Sequence, residues 1–475
     1  MLKRDKLYIN GQWVAAVGSD VFEVVNPATE EIVGSIPAAG PAEADAAVQA
    51  ARHAFAAWSI TSPAERAVWL EKILAELKSR AEEMTELIMA ELGMPLKLTK
   101  MIQVGLSIET LASFAGHARS YSFEERIGNS LVVKEAAGVV VAITPWNYPL
   151  YQIIAKVAPA LAAGCTVVLK PSEVTPLNAF LLADVIDRVG LPAGVFNLVS
   201  GSGSLVGERL VAHEEVDLIS FTGSTRAGKR VAELAAADVK RVALELGGKS
   251  PSLILDDADL AKAVKGTVDS CYLNSGQTCN AWTRMLVPED RYEEAAKLAV
   301  AAAAKFIPGD PWDEKTRLGP LVSKRQHERV KEYIRSGIKE GAELLLGGAE
   351  APDGLERGYF VGPTVFGRVT TGMTIAREEV FGPVLSIQAY RGEDEGVALA
   401  NDTLYGLAAG VWSGDAGRAL AVARRLRAGQ VDINGAPYNT EAPFGGYRQS
   451  GYGREMGRYG LEEFLEVKAI QLPGE

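Results

Sequence analysis

The 475-residue chain is 48% hydrophobic and 23% charged, the balance of a soluble globular protein long enough for two or three domains with ample core. Its net charge of -11 lacks the basic footprint that displaces counterions from phosphate backbones, so nucleic acid is excluded as a general partner. The most apolar region, Ile153 to Leu169, is interrupted by Lys156 and Pro159, well short of the roughly 18 uninterrupted apolar residues of a membrane span.

The first residues, MLKRDKLYINGQW, are not followed by an apolar stretch with a small-residue cleavage site, so a cytoplasmic protein without a secretory leader is expected. From Pro41 to about His117 apolar positions recur at three and four, which predicts three helices covering one face of a sheet. SYSFEERIGNSLVVKEAAG, from Ser120, alternates like a hairpin. GVVVAIT, TVVLK, FNLVS, DLISFT and RVALEL, between Gly138 and Leu246, are short β-branched or apolar runs. The first four are each followed by a helical pattern of roughly ten to fifteen residues, which is repeated βαβ and hence a doubly wound parallel sheet. After Gly248 the pattern resets: SLIL, a helix from about Leu260 to Asn274 and further alternation to about Ile433 predict a second α/β domain. The tail LEEFLEVKAIQL reads as one more strand. Exposed extended edges invite pairing with another chain, so hairpin and tail, residues 118–137 and 455–475, are expected to form a small β oligomerisation element of a homodimer or homotetramer.

Cys165, Cys271 and Cys279 form no CxxC, which speaks against a disulfide framework. His53, His117, His213 and His327 lie far apart, without the spacing of metal ligands, so no metal is expected. Open parallel sheets bind ligands beyond the carboxyl ends of their strands. The usual G-x-G-x-x-G fingerprint is missing. In its place Gly201-Ser-Gly203-Ser-Leu-Val-Gly207 follows the third strand, where three glycines also suit a simple turn. LKPSE ends the second strand with Glu173, a carboxylate that can accept from ribose hydroxyls and repel a 2′-phosphate; this favours NAD over NADP, though Lys170 alongside softens the discrimination. FTGST, Phe221 to Thr225, offers a second small-residue turn into a helix. GGKS is not a phosphate loop, because Ala243 stands where that motif requires glycine.

Three residues have the types that carry chemistry. Cys279 sits among small polar residues in SGQTCNAWTR, where a thiol is either a nucleophile or a small packing side chain. Glu245 ends an apolar run at a Gly-Gly turn, and such surroundings raise a carboxylate pKa toward that of a base; pairing with a distant cation is the alternative. Asn147, in TPWNYP, has an amide that could donate to an oxyanion or serve a turn beside proline.

Taken together, TPWNYPL, KPSE, FTGST, ELGGKSP, GQTCNA, EEVFGP and PFGGYRQSG, in that order, make the sequence resemble the aldehyde dehydrogenase superfamily over nearly its whole length. The resemblance implies an α/β fold with a Rossmann-like NAD-binding domain (1–117 and 138–247) and a catalytic domain (248–450). It implies Cys279 as nucleophile, Glu245 as general base, and Asn147 with the Cys279 amide as the oxyanion site. Lys170 and Glu173 would hold the adenosine ribose, Ser224 the pyrophosphate and Glu379 the nicotinamide ribose, with Phe381 packed nearby and Gly203 and Gly207 allowing close approach. Thr144, Trp146, Ser172, Gly223 and Leu246 complete the implied cofactor site, and Tyr148, Tyr151, Gln152, Thr278, Tyr438 and Phe444 the pocket of a small-molecule aldehyde. Arg448 stands where many relatives have lysine. The implied reaction forms a thiohemiacetal, then a thioester that water hydrolyses to the acid. The alternatives are transfer of the acyl group to coenzyme A, or a non-catalytic structural member of the family.

Overall fold

Five short β-branched or apolar runs between Val139 and Glu245 build the centre of the first sheet in the computed structural model, which describes residues 2–473. Position 1 of the expected cofactor-binding domain and positions 474–475 of the expected oligomerisation element lie outside the described residues. In spatial order the central strands are Arg241–Glu245, Leu218–Thr222, Val139–Ile143, Thr166–Lys170 and Phe196–Leu198, all parallel. Val139–Ile143 and Thr166–Lys170 are buried throughout, as strands covered by helices on both faces must be. The chain winds outward from Val139–Ile143 in one direction and then returns to its other side with Leu218–Thr222. The switch between these two strands opens the crevice in which such sheets bind ligands. The hairpin Lys6–Ile9 and Gln12–Ala15 extends one edge, and Gly451–Tyr452 closes the other against Arg241–Glu245.

The second sheet runs Glu343–Leu346, Thr364–Gly367, Val384–Tyr390, Arg284–Pro288, Pro251–Ile254, Ala408–Trp412 and Gln430–Ile433, parallel except for the first. The third sheet pairs Leu465–Gln471 with Ser130–Ala136 and that strand with Glu124–Ile127.

Several expectations need correction. The long apolar-periodic run after Pro63 is two helices, Pro63–Ser79 and Ala81–Leu92, broken at Arg80, whose φ of -109° and ψ of 18° leave the helical region. Helix Ser107–Ser120 continues a π-helical turn, Thr99–Leu106, that hydrophobic periodicity does not reveal. The third strand is followed by a π-turn, Gly203–Gly207, and the four-residue helix Glu208–Val211. The small sheet takes in fewer residues than the expected element of 118–137 and 455–475. Residues 118–120 close a helix, and Met456 and Leu461 are fully buried, with helix Gly457–Glu462 packed on the helices Pro149–Ala163 and Ser107–Ser120. Apolar side chains there feed the main core; only Leu465–Gln471 forms the small sheet with the hairpin. No helix among the described residues is long and apolar enough to cross a membrane.

Candidate active site

The two large sheets meet at a pair of glycines. Past Glu245 the chain turns through Gly247 and Gly248, where a Cβ would lie 2.3 Å from the Glu379 carboxylate and 2.4 Å from the Cys279 carbonyl oxygen respectively. Without side chains the turn lets the end of the first sheet touch both the loop before Val384–Tyr390 and the loop before Arg284–Pro288. The Gly248 N–H donates to Glu379 (3.0 Å).

Cys279 is half-buried on a loop whose backbone is held in an unusual shape. Asn274, Ser275 and Gly276 have successive φ values of 52°, 56° and 74°, a left-handed run that only strong tertiary contacts sustain. Asn274 Nδ2 donates to the Asn147 carbonyl (2.9 Å), Ser275 Oγ to the Gly319 carbonyl (2.8 Å), and the Val322 N–H to Gln277 Oε1 (2.9 Å). A Cβ on Gly276 would lie 2.1 Å from the Gly382 carbonyl oxygen. Burial pushes the Cys279 thiol pKa up, and the Glu379, Glu245 and Glu455 carboxylates add to the rise. The thiolate is the nucleophilic form, so these surroundings call for a group that removes the thiol proton.

Asn147 lies in the turn between Val139–Ile143 and helix Pro149–Ala163. Its amide donates one hydrogen to the Gln277 carbonyl (3.0 Å), and its own carbonyl accepts from Gln103 Nε2 (3.1 Å) and Asn274 Nδ2. The peptide is fixed at three points while one amide hydrogen stays available to a ligand.

Glu245 is 5% exposed, and neither of its carboxylate oxygens has a hydrogen-bond partner. Burial, then the charge of Glu455, raises its pKa well above the usual carboxylate range against the pull of Lys156 and Arg454. The alternative of a structural ion pair is not what the geometry holds. Lys156, 1% exposed, is itself committed: Nζ donates to Thr222 Oγ1 (2.7 Å) and pairs with the buried Glu455 carboxylate. Sequence reading noted Lys156 only as an interruption of an apolar stretch, yet a lysine inside a helix buried along its whole length is itself a signal of a buried partner.

A cleft of about 520 Å³ opens on one side of Cys279, within the range of small-ligand sites. Of the expected cofactor residues, Trp146, Ser172, Glu173, Gly223, Ser224, Leu246, Glu379 and Phe381 line it, together with Asn147 and Gln152. Ser224 caps helix Thr225–Ala235 by accepting from the Ala227 N–H (3.3 Å), so the amide end of that helix faces the cleft. Glu173 lies 3.5 Å from the buried Lys170 Nζ. Burial raises Glu379 to about 7. Trp146 and Phe381 meet edge to face, 5.3 Å between ring centres. Thr144 and Lys170 are buried at the strand ends, a Cβ on Gly207 would lie 3.8 Å from the Lys170 side chain, and Gly203 faces open space. Gln326 and Arg329, which sequence reading missed, enter from helix Lys324–Lys339; they donate to the Phe381 carbonyl (2.8 Å) and the Glu379 carbonyl (3.0 Å).

Cys279 also packs against a cluster of Tyr148, Tyr151, Ala155, Leu407, Phe444 and Met456, with Ile102 and Leu106 at its margin. Tyr148 and Thr278 share a hydroxyl hydrogen bond of 2.6 Å, and Tyr151 and Tyr438 one of 3.0 Å. Five of the six expected pocket residues thus fall in or beside this cluster, while Gln152 turns to the cleft. Ile102 and Leu106 come from the π-helical turn and carry no sequence mark.

The profile of the aldehyde dehydrogenase family matches residues 13–470. The chain is 53% identical over 466 residues to 3-succinoylsemialdehyde-pyridine dehydrogenase of a Pseudomonas species, covering 98% of each. Aldehyde dehydrogenase C of Pseudomonas syringae, solved as a cysteine-to-alanine variant with NAD+ and octanal, is 49% identical and superposes with a TM-score of 0.98 over 99% of this chain and 98% of that one. The aldehyde dehydrogenase of Mycobacterium tuberculosis, solved with NAD+, is 43% identical with a TM-score of 0.97 over 99% of each chain. This chain belongs to the aldehyde dehydrogenase family.

Proposed function

We propose that the protein oxidises an aldehyde to the carboxylic acid with NAD, through a thioester on Cys279 that water hydrolyses. The observation that carries this reading is the position of Cys279, half-buried between a dinucleotide-sized cleft and an aromatic and aliphatic cluster, with a buried carboxylate nearby that has no hydrogen-bond partner. The cleft fits the dinucleotide: a capped helix N-terminus suits its pyrophosphate, Glu173 and Lys170 its adenosine ribose, and Glu379 its second ribose. When bound, NAD supplies the hydride acceptor.

Glu245 takes the thiol proton directly or through water, and the Cys279 thiolate attacks the carbonyl carbon. The free amide hydrogen of Asn147 and the Cys279 backbone N–H bind the oxygen as it gains charge. After the hydride has left and Glu245 has released the first proton to solvent, the carboxylate removes a proton from water, whose oxygen adds to the thioester; the acid departs and the thiolate is regenerated. The first-sheet unit, residues 1–117 and 138–247, binds NAD, and residues 248–450 supply Cys279 and Glu379. Among the described residues the outer edges of Glu124–Ile127 and Leu465–Gln471 have no strand partner, which supports a homodimer or homotetramer, and three free thiols suit a cytoplasmic setting.

Purified protein mixed with NAD and an aldehyde should produce NADH and acid in equal amounts without coenzyme A. Acid formation only as a coenzyme A ester, or no NADH with any aldehyde, would overturn the reading.

A further inference from the structure

The Asn147 peptide is held partly from outside the loop that carries Cys279. Gln103 lies on the π-helical turn Thr99–Leu106, a rare form that recurs at functional sites, and it is fully buried. A carbonyl accepts and cannot donate, so the Gln103 carboxamide turns Nε2 toward the Asn147 carbonyl (3.1 Å), with the Met94 sulfur at 3.4 Å. Oε1 is left buried with no hydrogen-bond partner. The turn is tied down at the same residue, whose own carbonyl accepts from the Ser107 hydroxyl. Its neighbour Ile102 packs at the margin of the cluster beside Cys279.

Stability does not account for a glutamine here. A neutral hydrogen bond gives back less than a stranded buried acceptor takes, so an apolar side chain of the same size would suit this space better. Nor would the Asn147 carbonyl be orphaned without Gln103, because it also accepts from Asn274 Nδ2 (2.9 Å). What Gln103 adds is a fixed point of different origin. Asn274, and Gln277 whose carbonyl accepts from the Asn147 amide (3.0 Å), both belong to the loop that carries Cys279. Gln103 reaches the same peptide from a segment more than 150 positions earlier in the chain.

We infer that Gln103 is a positioning residue for the reaction: its Nε2 sets the Asn147 peptide, and with it the free amide hydrogen that meets the developing oxyanion, relative to the thiol. The inference rests on the aldehyde oxidation and the oxyanion role of Asn147 proposed above. A buried acceptor left without a partner is what the fold accepts in exchange for aiming that hydrogen.

Gln103→Met keeps the length of the side chain and removes both the donor and the stranded acceptor. Its denaturant midpoint should equal or exceed that of the wild type. At saturating NAD, kcat/KM for the best-used aldehyde of a panel should fall about tenfold, as expected when an oxyanion donor is loosened rather than deleted. The Kd for NAD, read by fluorescence quenching without aldehyde, should stay at the wild-type value. Asn147→Ala deletes the donor and should cost about 10²- to 10³-fold. Adding Gln103→Met to Asn147→Ala should cost nothing more, because a residue that acts through Asn147 then has nothing to position. An unchanged kcat/KM in Gln103→Met would overturn the inference. So would a lowered midpoint, or the same loss with Asn147 and without it, since a merely structural glutamine would behave in those ways. The readings beneath it fail separately and in proteins where Gln103 is intact: no NADH from the wild type with any aldehyde would sink the oxidation, and full turnover in Asn147→Ala would sink the oxyanion role.

Discussion

Glu91 and Glu245 are both carboxylates that the fold takes out of water, and they are held in opposite ways. Glu91, on helix Ala81–Leu92, is fully buried, and every contact it makes is an N–H: Leu177 N at 2.7 Å, Asn178 N at 3.2 Å and Asn178 Nδ2 at 2.6 Å. It caps the first turn of helix Leu177–Val189, where a negative charge meets unsatisfied amides and the positive end of the helix. Burial raises Glu91 to about 7 while those bonds pull it back. Glu245 is as dry and has no bond at all. A buried polar group left without partners is rare because it destabilises the fold. Where the fold keeps one, the empty hydrogen-bonding positions serve something that passes through. One carboxylate completes a helix; the other is the base of the proposed mechanism.

Substitution should separate the two most sharply through the thiol that Glu245 is proposed to serve. Cys279→Ser is expected to cut aldehyde oxidation by roughly 10³-fold or more, because a serine hydroxyl has no thiolate character near neutrality. NAD binding, followed by fluorescence quenching, should stay near normal, and Cys165→Ser and Cys271→Ser should remain active. Turnover near the wild-type rate in Cys279→Ser would remove the nucleophile from the mechanism.

Glu245→Gln keeps the size of the side chain but not its basicity. Steady-state turnover should fall about 10²- to 10⁴-fold, preceded by a burst of NADH and accompanied by an acylated Cys279 in the mass spectrum. Because Glu245 also takes the thiol proton, the burst itself slows, and the two rates are measured separately. Glu91→Ala should do the reverse: it strands buried donors and removes a helix cap, an expected loss of about 2–4 kcal/mol read from the denaturant midpoint, while the folded fraction turns over normally. Equal loss of turnover in both variants would collapse the distinction between them.

What the sequence revealed and what it hid divide along the same line. Glu245 was legible because an apolar strand ending in a carboxylate and two glycines is locally odd, and Cys279 and Asn147 because their neighbours are. The five central strands were legible as short β-branched or apolar runs, clearest in Val139–Ile143 and Thr166–Lys170, which are buried throughout. Glu91 was not, because its role depends on amides 86 positions away in Leu177, and an acidic residue on a helix reads as a solvated face. Ile102 and Leu106 were hidden by the π-helical turn, which shifts the phase of the apolar stripe. The break at Arg80 and the burial of Met456 and Leu461 depend on packing between distant segments, which periodicity does not encode.

Acidity should drive stability and activity in opposite directions. A carboxyl whose pKa rises on folding binds its proton more tightly in the native state, so its contribution is full below the unfolded value of 4.5 and is lost as pH rises toward the folded value, about 7 for Glu91. Glu245 has the same sign for stability. Turnover needs Glu245 unprotonated and Cys279 ionised, both raised, so kcat/KM should climb with pH through and above neutrality. Denaturant midpoints and kcat/KM measured together from pH 5 to 9 should move apart; activity falling as pH rises through neutrality would contradict the proton-accepting role of Glu245.

The smallest effect is expected at a third carboxylate, Glu173, which is neither buried nor free. It is 39% exposed at its side chain and lies 3.5 Å from Lys170 Nζ at the rim of the cleft, so solvent and the lysine both weaken its field. A 2′-phosphate brought there would still meet a negative charge at close range, whereas ribose hydroxyls can donate to it. The wild type should therefore prefer NAD to NADP. Glu173→Gln removes the repulsion but leaves an acceptor for a ribose hydroxyl, and it frees the buried Lys170 to face the phosphate. The ratio of kcat/KM for NADP to that for NAD should rise about three- to tenfold, within the roughly 1 kcal/mol that a partly exposed charge contributes, and mostly through a lower KM for NADP. A wild type that used NADP as well as NAD, or a variant whose ratio did not move, would mean that Glu173 serves the loop rather than the cofactor.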